Sequence, residues 1–277
     1  MVAAVGCGRA DETKAPVTAP TPEPAETKLP KPEHAGLNNP AAKRRAEQVI
    51  STFENSTTEI KYGYAENLND GRGITAGRAG FTSGTHDLKM VVDKYTEKSP
   101  RNPLARYRKA LATVDNTNST EGLGGFEKVW QQTAAHDPQL RAAQDAVYDE
   151  LYFNPAMNYS QEAGIEGAAA QLVILDTIIQ HGDGDDVDGL RAMMAQTTEV
   201  QGSVQEVGEE AWTRAFLRVR KDHLMHAADP ETRQGWAESV DRVTALGHIL
   251  DTYPDLEASA AQPMEWNVYG DPFKLVV

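Results

Sequence analysis

Two carboxylates, Glu54 and Asp70, offer this sequence its clearest chemistry. Glu54 closes a helical-looking stretch and falls four residues after Ile50, so the two share one helix face. Asp70 sits in the turn Asn69-Asp70-Gly71, followed at once by Arg72 and then by Thr75. Hydrolysis of a glycosidic bond needs one carboxyl group as acid and another as base. Burial on an apolar face raises the acid's pKa, and a solvated turn keeps the base ionised. The sequence therefore predicts a buried Glu54 as acid and an open Asp70 as base. Arg72 could hold a carboxylate or a sugar hydroxyl, and Thr75 could hydrogen-bond a water beside Asp70. Composition alone leaves a plain solvated loop as the alternative.

The elements that must position this pair can be read from period and punctuation. Asn39-Pro40 is an N-cap followed by a proline at the first helical position. Ala46, Val49, Ile50 and Phe53 then recur at helical spacing. Residues 60–82 alternate with glycines and turns and predict a small antiparallel sheet. Helical patterns follow over 86–96, 102–112, 123–135, 138–151, 160–180, 187–196, 203–227 and 231–250. The last segment, 254–277, reads as irregular. Residues 165–180 are apolar nearly all round, which predicts a buried central helix. Asp176 lies inside it and needs a cationic partner, because a lone buried charge is costly. Arg218, Arg220 and Arg233 are the candidates.

The chain has 277 residues and a net charge of −14, nearly all of it after Gly36. Such a balance disfavours nucleic acid and anionic lipid, and suits a cationic partner or simple solubility. No apolar stretch is long enough to span a membrane. The single cysteine, Cys7, excludes an internal disulfide and follows a short apolar run, so residues 1–7 read as a lipoprotein-signal remnant. Residues 8–36 are proline-rich and read as a disordered spacer, which leaves 37–277 as the folded domain. Together these features predict export, with Cys7 as a candidate lipid anchor, and nothing suggests more than a monomer. His223 and His226 lack a third ligand and read as a surface pair. The run His181–Gly189 lacks the EF-hand order and reads as an acidic loop. Trp212 and Trp236 fall on helical stripes and read as core.

Three blocks, Glu54-Asn55-Ser56, Asp70-Gly71-Arg72-Gly73-Ile74-Thr75 and Gly80–Asp87, occur in order. Tyr152-Phe153-Asn154-Pro155, Asp176, His181-Gly182, Arg220 and Trp266–Pro272 follow. In this the sequence resembles the family-46 chitosanases over roughly residues 37–277. The resemblance implies a mainly α fold with a small antiparallel sheet, lysozyme-like, with two helical lobes flanking a cleft. It implies endo-acting, inverting hydrolysis of chitosan without cofactor or metal. Glu54 would be the general acid, Asp70 the general base and Thr75 a residue placing the water. The carboxyl gap would be on the order of 6.5–9.5 Å. Ser56, Tyr64, Arg72, Thr85, Asp87 and Asp271 match positions that line sugar subsites, and Asp176, Arg220 and Arg233 match a network behind the acid. Trp130 and Trp266 match core positions. The sequence departs from the pattern at Ile60, Thr82 and Ala228, and in shorter segments before Asp70 and after Arg220. Two alternatives stand beside this reading: a lysozyme-like enzyme acting on peptidoglycan, and a chitosan-binding protein without activity.

Overall fold

The computed structural model describes residues 35–230 and 232–276. The expectations for Cys7 and the spacer up to residue 34 lie outside these residues. Helix α1, Pro40–Asn55, begins as the sequence predicts: the Asn39 side chain accepts hydrogen bonds from the Ala41 and Ala42 amides. Its buried stripe includes Ala42, Ala46, Val49, Ile50 and Phe53, and it ends where Ser56 takes a left-handed conformation.

A three-stranded antiparallel sheet follows, β1 (Ala65–Asn67), β2 (Ile74–Ala76) and β3 (Phe81–Thr82), in that order. Glu66 pairs with Thr75, and Thr75 with Thr82. Around the sheet pack α2 (Asp87–Lys98), α3 (Arg108–Val114), α4 (Phe126–His136) and α5 (Pro138–Tyr148). A π-helical turn, Asp149–Phe153, leads into α6, Asn154–Ala163.

Helix α7, Ala168–His181, is the buried central helix, with every residue from Ala168 to Ile178 out of solvent. It packs against α1 and α6, and against a second group of elements. These are α8 (Leu190–Gln201), α9 (Val204–Val207), α10 (Glu209–Met225), α11 (Arg233–Glu238) and α12 (Asp241–Thr252). Glycines divide two stretches that the sequence pattern reads as single helices: Gly164 and Gly208 both have positive φ, at 80° and 85°. The segment read as irregular contains a β-hairpin, β4 (Met264–Val268) with β5 (Asp271–Leu275). Met264, Trp266 and Val268 point inward in strict alternation, and Tyr269-Gly270 turns the chain with both φ positive. The fold is mainly helical with small antiparallel sheets, as expected. Among the described residues no helix is long and apolar enough to cross a membrane.

Helix α1 runs between the two groups and is fastened to both. Towards the sheet group, Lys43 pairs with Asp149, Glu47 with Arg78, and the Ser51 hydroxyl donates to the Glu59 carbonyl. Towards the other group, Arg45 donates to the Leu256 carbonyl and Trp266 Nε1 donates to Thr52 Oγ1 at 3.2 Å. The β2–β3 turn is docked just as closely. The Arg78 amide donates to Gln144 Oε1 at 3.0 Å, and Trp130 and Gln144 both donate to the Tyr62 carbonyl.

Gly77 in this turn has φ 79°, and a β-carbon there would meet Gln144 Oε1 at 2.5 Å and Trp130 Cζ2 at 2.9 Å. The left-handed conformation alone costs an alanine about 1–2 kcal/mol, and the contacts add to it. Gly77→Ala is therefore expected to lower Tm by several degrees in thermal unfolding followed by circular dichroism. An unchanged Tm would contradict this docking.

Candidate active site

Glu54 lies in the last turn of α1, beside the sheet. Its side chain is 45% exposed, so the buried acid expected from the sequence is not what the fold provides. The inward stripe of α1 ends at Phe53, and one further residue turns the carboxylate towards the open pocket. What fixes Glu54 is an ion pair. Arg242 Nη2 donates to Glu54 Oε1 at 2.8 Å and to Asp176 Oδ1 at 2.7 Å. Arg220 pairs with the other Asp176 oxygen at 2.7 Å and donates to Gln180 Oε1 at 2.6 Å.

Asp176 and Arg220 are wholly buried. Burial pushes the Asp176 carboxyl up, but Arg242 and Arg220 outweigh it and hold the group below the ordinary carboxylate range. Close by, burial and the Arg220 charge push the His181 imidazole down to about 3, so it stays neutral beside the network. Its ring stands edge-on to Trp236, 4.6 Å between centroids.

Of the three arginines proposed for Asp176, one is in place. Arg218 is exposed on α10. Arg233 turns away and donates to the Ala227 and Ala228 carbonyls. Arg242 takes the expected role of Arg233. It shares an α12 face with Leu246 and Ile249, both buried, so an arginine on an apolar stripe was the available signal.

Asp70 is held differently. Its Oδ1 accepts from the Arg72 amide at 3.0 Å, and its Oδ2 accepts from Arg72 Nε at 3.0 Å and Nη2 at 2.7 Å. These bonds hold its carboxyl below the ordinary range, so it is ionised. The turn is tied down beneath them: Ile74 N donates to Ser83 Oγ, and Gly84 N to the Arg72 carbonyl.

Glu54, Asn55, Tyr64, Leu68, Thr75 and Tyr148 line one pocket. Thr75 is buried there, and its Oγ1 has no hydrogen-bond partner among the described residues. Tyr64 donates to Glu66 Oε2 at 3.3 Å. The pocket thus joins α1 to the sheet whose β1–β2 turn carries Asp70.

The remaining expected residues lie around this centre. Asp87 Oδ1 accepts from the Thr82 and Leu88 amides and from Thr85 Oγ1, while burial still raises its pKa. Tyr152, given no role from the sequence, stands within electrostatic reach of both Asp87 and Glu54. Burial and those carboxylates push its phenol up to about 12. Tyr269, also unassigned, comes near the Arg242–Glu54 pair from the hairpin turn. Ser56 and Asp271 are exposed, at the end of α1 and the start of β5.

His223 is more than a surface residue. Its Nδ1 lies 2.6 Å from Asp188 Oδ1, and Asp188 Oδ2 accepts from the Ala228 amide. The acidic loop therefore turns one carboxylate inward to close α10. Among the described residues no group of three or more His, Cys, Asp or Glu could hold a metal ion. Trp130, Trp212 and Trp266 are core, whereas Trp236 is only half-buried.

Residues 48–251 match glycosyl hydrolase family 46. A chitosanase of Bacillus subtilis strain 168 is 48% identical over 219 residues, 78% of each chain. Among solved structures, native chitosanase from Bacillus subtilis MY002 aligns with TM-score 0.75 at 43% identity, covering 86% of this chain and 99% of that one. A mutant of the MY002 enzyme complexed with 6 GlcN aligns with TM-score 0.75 at 43% identity, over 85% and 98%.

The buried triad yields a stability prediction. Asp176→Asn leaves two buried guanidinium charges short of a counter-charge and is expected to cost about 3–5 kcal/mol in denaturant unfolding at neutral pH. The folded pKa is depressed, so this stabilisation is present above the unfolded pKa and lost as pH falls through the folded value. The difference from the wild type should therefore shrink only in strong acid. Equal stabilities at pH 7 would contradict it.

Proposed function

The chain belongs to glycosyl hydrolase family 46, and from that premise we propose that it is an endo-acting, inverting chitosanase. Glu54 gives its proton to the glycosidic oxygen as the C1–O bond breaks. A water attacks C1 from the opposite face and loses its proton to Asp70, with Thr75 placing the water. The observation that carries this reading is the placement of two separately held carboxylates, one on α1 at the pocket and one on the turn of the adjoining sheet. Glu54 is held by a buried arginine at the pocket wall, and Asp70 is kept ionised by Arg72 on the adjoining turn.

The relatives' names supply the substrate. Chitosan is a polymer of β-1,4-linked glucosamine, cationic at mildly acidic pH, and a chain of net charge −14 attracts it. Asp87 and Asp271 are placed in this reading at subsites for the ammonium groups, with Ser56, Tyr64, Arg72 and Thr85 beside them. Residues 37–277 form the catalytic domain of a monomeric, exported enzyme, with 8–36 as its spacer and Cys7 as its lipid attachment.

Glu54→Gln and Asp70→Asn are each expected to lower kcat on fully deacetylated chitosan by at least about 10³-fold, with NMR showing the α-anomer as the first wild-type product. Full activity in either variant, or an initial β-anomer, would overturn the assignment. Arg72→Ala gives a second test. Without Arg72 the Asp70 carboxyl rises towards its ordinary pKa, so the acid limb of the kcat/KM profile should move to higher pH. A limb that stays or moves down would show that Arg72 does not hold the base ionised.

A further inference from the structure

A second buried hydroxyl shares the pocket with Thr75. Tyr148, at the end of α5, is 4% exposed and lines the same pocket as Glu54 and Thr75. Its phenol oxygen, like Thr75 Oγ1, has no hydrogen-bond partner among the described residues. An unpaired buried polar group costs about 1–3 kcal/mol, so two of them on one pocket wall call for a shared partner.

The Tyr148 ring is firmly held, yet none of what holds it uses the oxygen. The Arg78 guanidinium lies over the ring, 4.1 Å from its centroid. Arg78 is itself buried between Glu47, at 3.1 Å, and Asp145. Tyr152 packs on the ring at 5.6 Å. Burial pushes the phenol well above its ordinary range, so it remains an O–H donor. A core position that wanted only the ring would be served by phenylalanine. The fold instead uses an ion network to hold a hydroxyl at the pocket wall.

From this we propose that Tyr148 is a positioning residue for the reaction. Its O–H and the Thr75 hydroxyl hold one water at the pocket wall they share, and that water is the one that attacks C1 and passes its proton to Asp70. The inference rests on the roles given above to Glu54, Asp70 and Thr75. The Arg78–Glu47–Asp145 cluster then serves catalysis by fixing the ring that carries the donor.

The test compares the full chain with Tyr148→Phe, Thr75→Val and the double variant on fully deacetylated chitosan. Tyr148→Phe removes one unpaired hydroxyl, so Tm is expected to hold or rise. Its kcat should fall roughly 10–100-fold with KM within about twofold, the loss expected when a reacting group is misplaced. The double variant should be no worse than the poorer single one, because both hydroxyls act through one water. A crystal structure should show a water within hydrogen-bond distance of both oxygens, missing in Tyr148→Phe. Wild-type kcat in Tyr148→Phe, multiplicative losses, or no shared water would overturn the proposal. If Thr75→Val alone leaves kcat intact, the catalytic role of Thr75 fails and the proposal falls with it. A loss confined to Thr75→Val overturns the Tyr148 proposal and leaves that role standing.

Discussion

The site depends on one buried carboxylate. Asp176 lies at the centre of an almost wholly apolar helix, where an unpaired charge would not survive. It is tolerable only because two guanidinium groups meet it, one from α10 and one from α12. The requirement therefore fixes the mutual placement of three helices. It also leaves Arg242 with a donor to spare: the Nη2 that satisfies Asp176 reaches Glu54 at the pocket wall. The position of the proposed acid is thus set from the core outward. A surface ion pair could not do this, because solvent and side-chain entropy reduce such pairs to little.

A second buried arginine grips α1 two helical turns before Glu54. Arg78 joins Glu47 of α1 to Asp145 of α5, and it sits in the turn that follows β2. Glu47 and Glu54 lie two helical turns apart on α1, and each is gripped by a different buried guanidinium. One network fastens the helix to the sheet group and the other fastens it to α7, α10 and α12. Because α1 is rigid, the spacing between Glu54 and the strand carrying Thr75 follows from these attachments. Neither attachment requires the pocket side chains themselves to be packed.

This division explains which parts of the site could be read in the sequence. Glu54, Asp70, Arg72 and Thr75 fall within one short run of distinctive order, and the Asp70–Arg72 clamp is made between residues two apart. The cap of α1, the sheet and the buried central helix rest on local signals of the same kind. Arg242 contacts a residue 188 positions away, and no periodicity links the two. Reading Arg233 in its place shows how little spacing says about partners across helices. The exposure of Glu54 was missed for a geometrical reason, since i, i+4 spacing from Ile50 names a face but not where that face ends. The hairpin at 264–275 was legible in the alternation of Met264, Trp266 and Val268, and so was the break at Gly208.

The two carboxylates also differ in how their settings respond to the medium. The Arg242–Glu54 contact joins a guanidinium that is 5% exposed to a carboxylate that is 45% exposed, so added salt screens it only in part. The Arg72–Asp70 clamp is surface chemistry, with Arg72 55% exposed. Salt therefore weakens the Arg72–Asp70 clamp more than the Arg242–Glu54 contact. Glu54 is thus placed through the core, while Asp70 is placed by its own turn. For an inverting reaction this is a workable order of events. The proposed acid must be in place before binding, whereas the proposed base is needed only once a water stands between it and the sugar. Fixing one carboxylate through a buried ion network and the other through a turn meets both demands.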